Sequence, residues 1–103
     1  MVEGSFHGQV AVVTGAASGI GRSVAECFAR AGASVAILDR DENQGRAVRS
    51  EIQAAGQTCE FFPADVKSEA DVARTIELIT ARFSRIDHVV NNAVLALMRA
   101  EQS

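Results

Sequence analysis

The sequence predicts an α/β fold, a doubly wound parallel sheet with helices on both faces. Three observations predict it. Four short apolar runs alternate with three stretches of helical periodicity. The runs are apolar at consecutive positions, as in strands covered on both faces. Glycine or proline punctuates the joints, at Gly8, Gly15, Gly32, Gly56 and Pro63. The order is therefore βαβαβαβ, in three layers, α/β/α.

Gln9 to Thr14 reads as the first strand, bounded by Gly8 and Gly15. Ile20, Val24, Phe28 and Ala31 recur at helical spacing, and Gly32 is a natural stop. Ser34 to Leu38 is the second strand and ends at Asp39. A helix over Asp41 to Ala55 carries Val48, Ile52 and Ala55 on one face, with Gly56 to terminate it. Thr58 to Phe62 is the third strand, closed by Pro63 and Ala64. Ser68-Glu-Ala-Asp71 has the form of a capping box, with Asp where Glu is usual. The helix it opens places Val72, Ile76, Ile79 and Phe83 on one stripe. Ile86 to Val90 is the fourth strand and leads into Asn91-Asn92-Ala93. Residues 1–93 are expected to form one domain. Residues 94–103, rich in helix formers and free of glycine, add a helix or trail as a tail.

Composition excludes several function classes. The 103 residues suffice for one small domain. A net charge of −3 with mixed signs leaves no basic stripe for nucleic acid, and 5% aromatics offer few stacking platforms. The longest apolar run, Ala93 to Met98, is far short of a membrane span. Met1-Val-Glu-Gly-Ser5 has neither the charge nor the apolar core of a signal peptide. Cys27 and Cys59, with no CxxC pattern, read as reduced thiols in a cytoplasmic protein. No metal-ligand spacing occurs. His7, before the first strand, and His88, inside the fourth, read as structural, and Lys67 as a solvated charge.

The chemistry concentrates in Thr14-Gly15-Ala16-Ala17-Ser18-Gly19-Ile20-Gly21. Three glycines follow a strand and open a helix. Glycine adopts positive φ and lets backbone N–H groups approach a ligand. A helix start adds unpaired N–H groups and a positive dipole end, which suit a pyrophosphate. Asp39 lies 18 residues beyond Gly21, close to the interval of about 20 for a ribose-binding acid. A carboxylate there accepts from both ribose hydroxyls and repels a 2′-phosphate, so it favours NAD over NADP. The adjacent Arg40 points the other way, toward a 2′-phosphate. A P-loop is excluded: five residues separate Gly15 from Gly21, and Arg22 stands where that motif needs Lys. A methyltransferase also uses a glycine loop with an acid after the second strand, and that alternative stays open.

The loop resembles the TGxxxGIG element of the short-chain dehydrogenase/reductase family. Asp65-Val66 resembles the family's adenine-contacting pair, and Asn91-Asn92-Ala93 the start of its NNAG element. The resemblance spans residues 8–93 and implies a partial Rossmann-type sheet of strand order 3-2-1-4. It also implies roles. Gly15, Ser18, Gly19, Ile20 and Gly21 would contact the pyrophosphate and its adjacent ribose. Asp39 would hold the adenosine ribose, with Arg40 beside it. Asp65 and Val66 would frame adenine, and Asn91 and Ala93 would sit near the nicotinamide ribose. Ser18 stands where NADP-preferring members often carry a basic residue.

The chain departs from the family pattern in two places. Val94 replaces the glycine that ends the motif. The family's catalytic Ser and Tyr-x-x-x-Lys pair have no counterpart, and the chain contains no Tyr, so no catalytic residue is assigned. The resemblance fades at Val94, which suggests a truncation, a frameshift or an alternative splice. The leading reading is the cofactor-binding half of an NAD-dependent alcohol or carbonyl oxidoreductase, inactive alone. The others are a non-catalytic dinucleotide-binding module, perhaps one associating with a relative of full length, and a methyltransferase fragment. An alcohol or ketone substrate belongs only to a longer form. The fourth strand would be an open edge, so marginal stability or self-association through it is expected.

Overall fold

The computed structural model describes residues 5–92. Ala93 and the expected tail over 94–103 lie outside the described residues. Seven elements alternate: β1 (Val10–Thr14), α1 (Gly19–Arg30), β2 (Ser34–Asp39), α2 (Glu42–Ala54), β3 (Cys59–Pro63), α3 (Glu69–Phe83) and β4 (His88–Asn91). All three strand pairings are parallel. The sheet order is β3-β2-β1-β4, as the family resemblance implies.

The pleat sorts alternate residues of the central strands to opposite faces. Ala11, Val13, Val35 and Ile37 face α1 and α2, where they meet Ala25, Ala29, Val48 and Ile52. Val12, Ala36 and Leu38 face α3 and pack on Ile79. β1 is buried along its whole length, which explains its unbroken apolar run.

The α1 stripe behaves differently from its periodicity. The residues that α1 buries are Gly21, Ala25 and Ala29, not the larger Ile20, Val24 and Phe28. The small face lets the helix lie close to the sheet. Val24 and Phe28 flank the contact, and Ile20 is 53% exposed. The α3 stripe matches its reading, with Ile79 buried and Ile76 and Phe83 packed against the same cluster.

Element ends shift by one or two residues. Asp41 lies outside α2 as its N-cap, accepting from the Gln44 N–H. β4 starts at His88 instead of Ile86, because Asp87 is used before the strand begins. Its N–H donates to the Val10 carbonyl, and its carboxylate accepts the Val10 N–H at 2.8 Å. The Ser68 capping box is one-sided. Ser68 Oγ accepts from the Asp71 N–H at 3.2 Å. The Ser68 N–H is already paired with the Asp65 carbonyl, so the Asp71 carboxylate takes the Asp65 N–H instead, at 2.6 Å.

Both histidines sit away from the glycine loop's chemistry. His88 lies tilted against the stacked rings of Phe6 and Phe28, and its Nε2 lies 2.6 Å from Gln9 Oε1. His7 is exposed in the turn before β1.

Candidate functional site

The site is built where β1 passes into α1. Gly15 and Gly19 both adopt positive φ, +64° and +61°, which L side chains rarely tolerate. Between them the chain is anchored to β2. The Gly15 and Ala16 N–H groups donate to the Leu38 carbonyl at 2.8 and 3.4 Å. The Ala17 N–H donates to Asp39 Oδ2 at 3.0 Å. Asp39 Oδ1 accepts from the Asp41 N–H, also at 3.0 Å. The N–H groups of Gly15, Ala16 and Ala17 are thus committed to β2, and the segment free to meet a ligand begins at Ser18. Ser18, Gly19 and Ile20 are all exposed.

Gly21 has a different task. Its φ is not in the left-handed region, but a Cβ there would lie 2.1 Å from the Gly15 carbonyl oxygen and 2.9 Å from Asn92 Nδ2. The first turn of α1 can rest on the loop only because position 21 has no side chain. On the far side, Asn92 Nδ2 donates to the Gly15 carbonyl at 3.3 Å, and its buried Oδ1 has no partner among the described residues. Thr14 Oγ1 and Asn91 Oδ1 meet at 3.0 Å, which ties the ends of the adjacent strands together.

The starts of α1, α2 and α3 differ electrostatically. α2 and α3 are capped by the Asp41 and Ser68 side chains and carry acids in their first turns. α1 has no side-chain cap and no acid in its first turn. Its exposed N–H groups and dipole end are therefore left for an anion.

The remaining candidates line the same end of the sheet. Asp39 is the last residue of β2, and Arg40, exposed, follows it. Val66 lines a cleft of about 360 Å³ together with Thr14, Leu38 and Asn91. Asp65 Oδ1 accepts from the Lys67 N–H. Below it Asp71 is held beneath the usual carboxylate range, chiefly by a hydrogen bond from the Arg74 guanidinium and then by the Asp65 N–H. Asp71 therefore stays charged and fixes the turn that presents Asp65 and Val66. Among the described residues no cluster of His, Cys, Asp and Glu could hold a metal.

Sequence reasoning missed Asn92 as the residue that grips the loop, although it stands beside Asn91 in the quoted motif. It also missed Gly45, whose absent Cβ makes room for the Phe61 ring at 2.2 Å. A glycine inside a helical pattern was the available signal.

The residues fit a dinucleotide: an open helix start, a turn that a Cβ would fill, and an acid beside it. Known proteins resemble the chain in sequence and fold. The family model for short chain dehydrogenase matches residues 9–103. The chain is 46% identical to L-fucose dehydrogenase of Oryctolagus cuniculus over 88 residues, which is 85% of this chain and 30% of that protein. It is 42% identical to human 3-hydroxyacyl-CoA dehydrogenase type-2, over 90% of this chain and 34% of that one. Among solved structures, the citronellol catabolism dehydrogenase of Pseudomonas aeruginosa superposes with a TM-score of 0.85 at 33% identity, covering 88% of this chain and 38% of that one. A metagenomic short-chain oxidoreductase in complex with NADP gives 0.79 at 39% identity, with 82% and 38% covered. The chain thus spans roughly a third of the length of these relatives. With the family model matched over residues 9–103 and relatives above 40% identical over most of the chain, the chain belongs to the short-chain dehydrogenase family.

Proposed function

We propose that the chain binds a nicotinamide dinucleotide and is the cofactor-binding part of an oxidoreductase that moves hydride between nicotinamide and an alcohol or carbonyl carbon. The observation that carries this is the contrast among α1, α2 and α3: of these three, α1 alone is left uncapped and without a first-turn acid, beside Asp39. Ser18, Gly19, Ile20 and Gly21 would hold the pyrophosphate. Gly15 shapes the turn. Asp39 would accept from the adenosine ribose, Asp65 and Val66 would frame adenine, and Asn91 and Ala93 would lie toward the nicotinamide ribose. The hydride chemistry is the cofactor's; these residues bind and orient it.

NAD is the preferred form in this reading, because the Asp39 carboxylate repels a 2′-phosphate. Arg40 opposes that preference, and one structural relative carries NADP. Calorimetric titration with NAD, NADP and S-adenosylmethionine tests the assignment. Tighter binding of NAD is expected; equal or tighter NADP binding overturns the preference, and binding of S-adenosylmethionine alone overturns the reading.

The 103 residues include no Tyr, so the chain would bind cofactor without turning over alcohols or ketones. Turnover by the chain alone would refute it. The free thiols Cys27 and Cys59 suit the reducing cytoplasm, to be checked by fractionation. Among the described residues no helix is long and apolar enough to cross a membrane. β4 carries no Asp, Glu, Lys or Arg, pairs only with β1 among the described residues, and leaves Val89 61% exposed. It would pair with a second copy, and sedimentation of V89K against the parent chain tests this: the parent is expected to associate and the variant not.

A further inference from the structure

Asp39 does more in this fold than face a ribose. Its carboxylate lies between two βα turns, with Oδ2 on the Ala17 N–H and Oδ1 on the Asp41 N–H, each at 3.0 Å. Ala17 is 3% exposed, so water does not replace that acceptor if it is lost. The bond is the last anchor of the loop before the exposed segment of Ser18, Gly19 and Ile20. Gly15 and Ala16 hang on the Leu38 carbonyl instead.

We propose that Asp39 is a positioning residue for the phosphate loop. Its carboxylate sets the start of α1 before any ligand arrives, and so couples the ribose end of the site to the pyrophosphate end. A carboxylate offers about four lone-pair positions. Two are used inside the protein, and two remain for ribose hydroxyls, so the roles coexist. It follows that replacing Asp39 to admit a 2′-phosphate does not convert the cofactor preference. The exchange also loosens the loop that holds the pyrophosphate of either dinucleotide.

The inference rests on the dinucleotide reading only for its ligand arm. Amide hydrogen exchange in the free 103-residue chain tests the clamp directly, with Gly15 and Ala16 as internal references. In D39A the Ala17 N–H is expected to exchange about tenfold faster while the references hold. In D39N, with one oxygen for two donors, Ala17 or Asp41 is expected to exchange faster. If D39A does not fold, D39N alone decides. Unchanged exchange at both positions overturns the proposal.

The ligand arm uses inorganic pyrophosphate, which lacks a ribose. Loss of a negative charge by itself would tighten pyrophosphate binding. Loss of positioning weakens it, by about threefold or more in D39A, and tighter binding in D39A overturns the coupling. If the parent chain binds neither pyrophosphate nor NAD, the dinucleotide reading and the coupling both fail, while the exchange result still decides the clamp.

Discussion

Replacing Gly21 by Ala sets two effects against each other, and their sizes decide the outcome. Position 21 has ordinary helical φ, so Ala carries no backbone strain and gains about 1 kcal/mol of helix propensity. Against this, the new Cβ would lie 2.1 Å from the Gly15 carbonyl oxygen and 2.8 Å from its carbon, where ordinary contact starts at 3.4 Å. Both obstacles are backbone atoms, and Gly15 is itself pinned to Leu38. The helix must therefore retreat by roughly an ångström, which loosens Ala25 and Ala29 against the sheet and strains the Asn92 grip. Overpacking of this kind costs about 1–3 kcal/mol, and rigid backbone on both sides puts it at the upper end. The net expectation is about 2 kcal/mol of destabilisation. In a urea titration this moves the midpoint down by about 1–2 M. Circular dichroism is the probe, since the chain has no Trp or Tyr. G45A is the internal comparison. Its Cβ meets the half-buried Phe61 ring at a similar 2.2 Å, but a ring can rotate away, so about 1 kcal/mol or less is expected. A G21A midpoint equal to or above the parent's, or equal costs for both variants, would refute the reasoning.

Three further outcomes follow from the same structure. S68A removes the only side-chain bond to the Asp71 N–H and should cost about 1 kcal/mol, read from the urea midpoint. The Asp87 carboxyl is held below the usual range, first by a hydrogen bond from Arg85 and then by the Val10 N–H. The stability it adds is complete above the unfolded value of about 3.9 and is lost as pH falls through the lower folded value. D87N should therefore flatten the acid limb of the stability profile, and an unchanged limb counts against this. Burial pushes the Cys59 thiol up to about 12, so its contribution is complete below the unfolded value of about 8.5 and fades as pH rises toward 12. A thiol reagent at pH 8 should label Cys27 in the native protein and Cys59 only on unfolding.

Much of the fold was legible because its signals are local. The β1 run, the α3 stripe and the stops at Gly32 and Gly56 each depend on residues within one turn or one strand. The boundaries that moved were set from further away. β4 starts late because Asp87 is taken by Val10, 77 residues earlier in the chain. The capping box opened on one side because Asp65 had already taken the Ser68 N–H.

The candidate site divides in the same way. The glycines at 15, 19 and 21 and the acid at 39 stand out by spacing and turn chemistry alone; the family resemblance rested on the loop motif together with Asp65-Val66 and Asn91-Asn92-Ala93. Spacing does not say which glycine serves a positive φ and which serves close packing, since that depends on the atoms opposite. Gly19 is required by its own backbone; Gly21 is required by Gly15 and Asn92. Nor does periodicity identify the buried face of α1. Large apolar residues mark a stripe, but the sheet accepted the small one, Gly21, Ala25 and Ala29, because only that face permits close approach. The sequence by itself determined the order of elements, the parallel sheet and the place of the loop, through short-range periodicity and turn preference. Tertiary structure alone decided what holds the loop in shape, because the Asp39 carboxylate and the Asn92 amide reach it from 22 and 77 residues away in the chain.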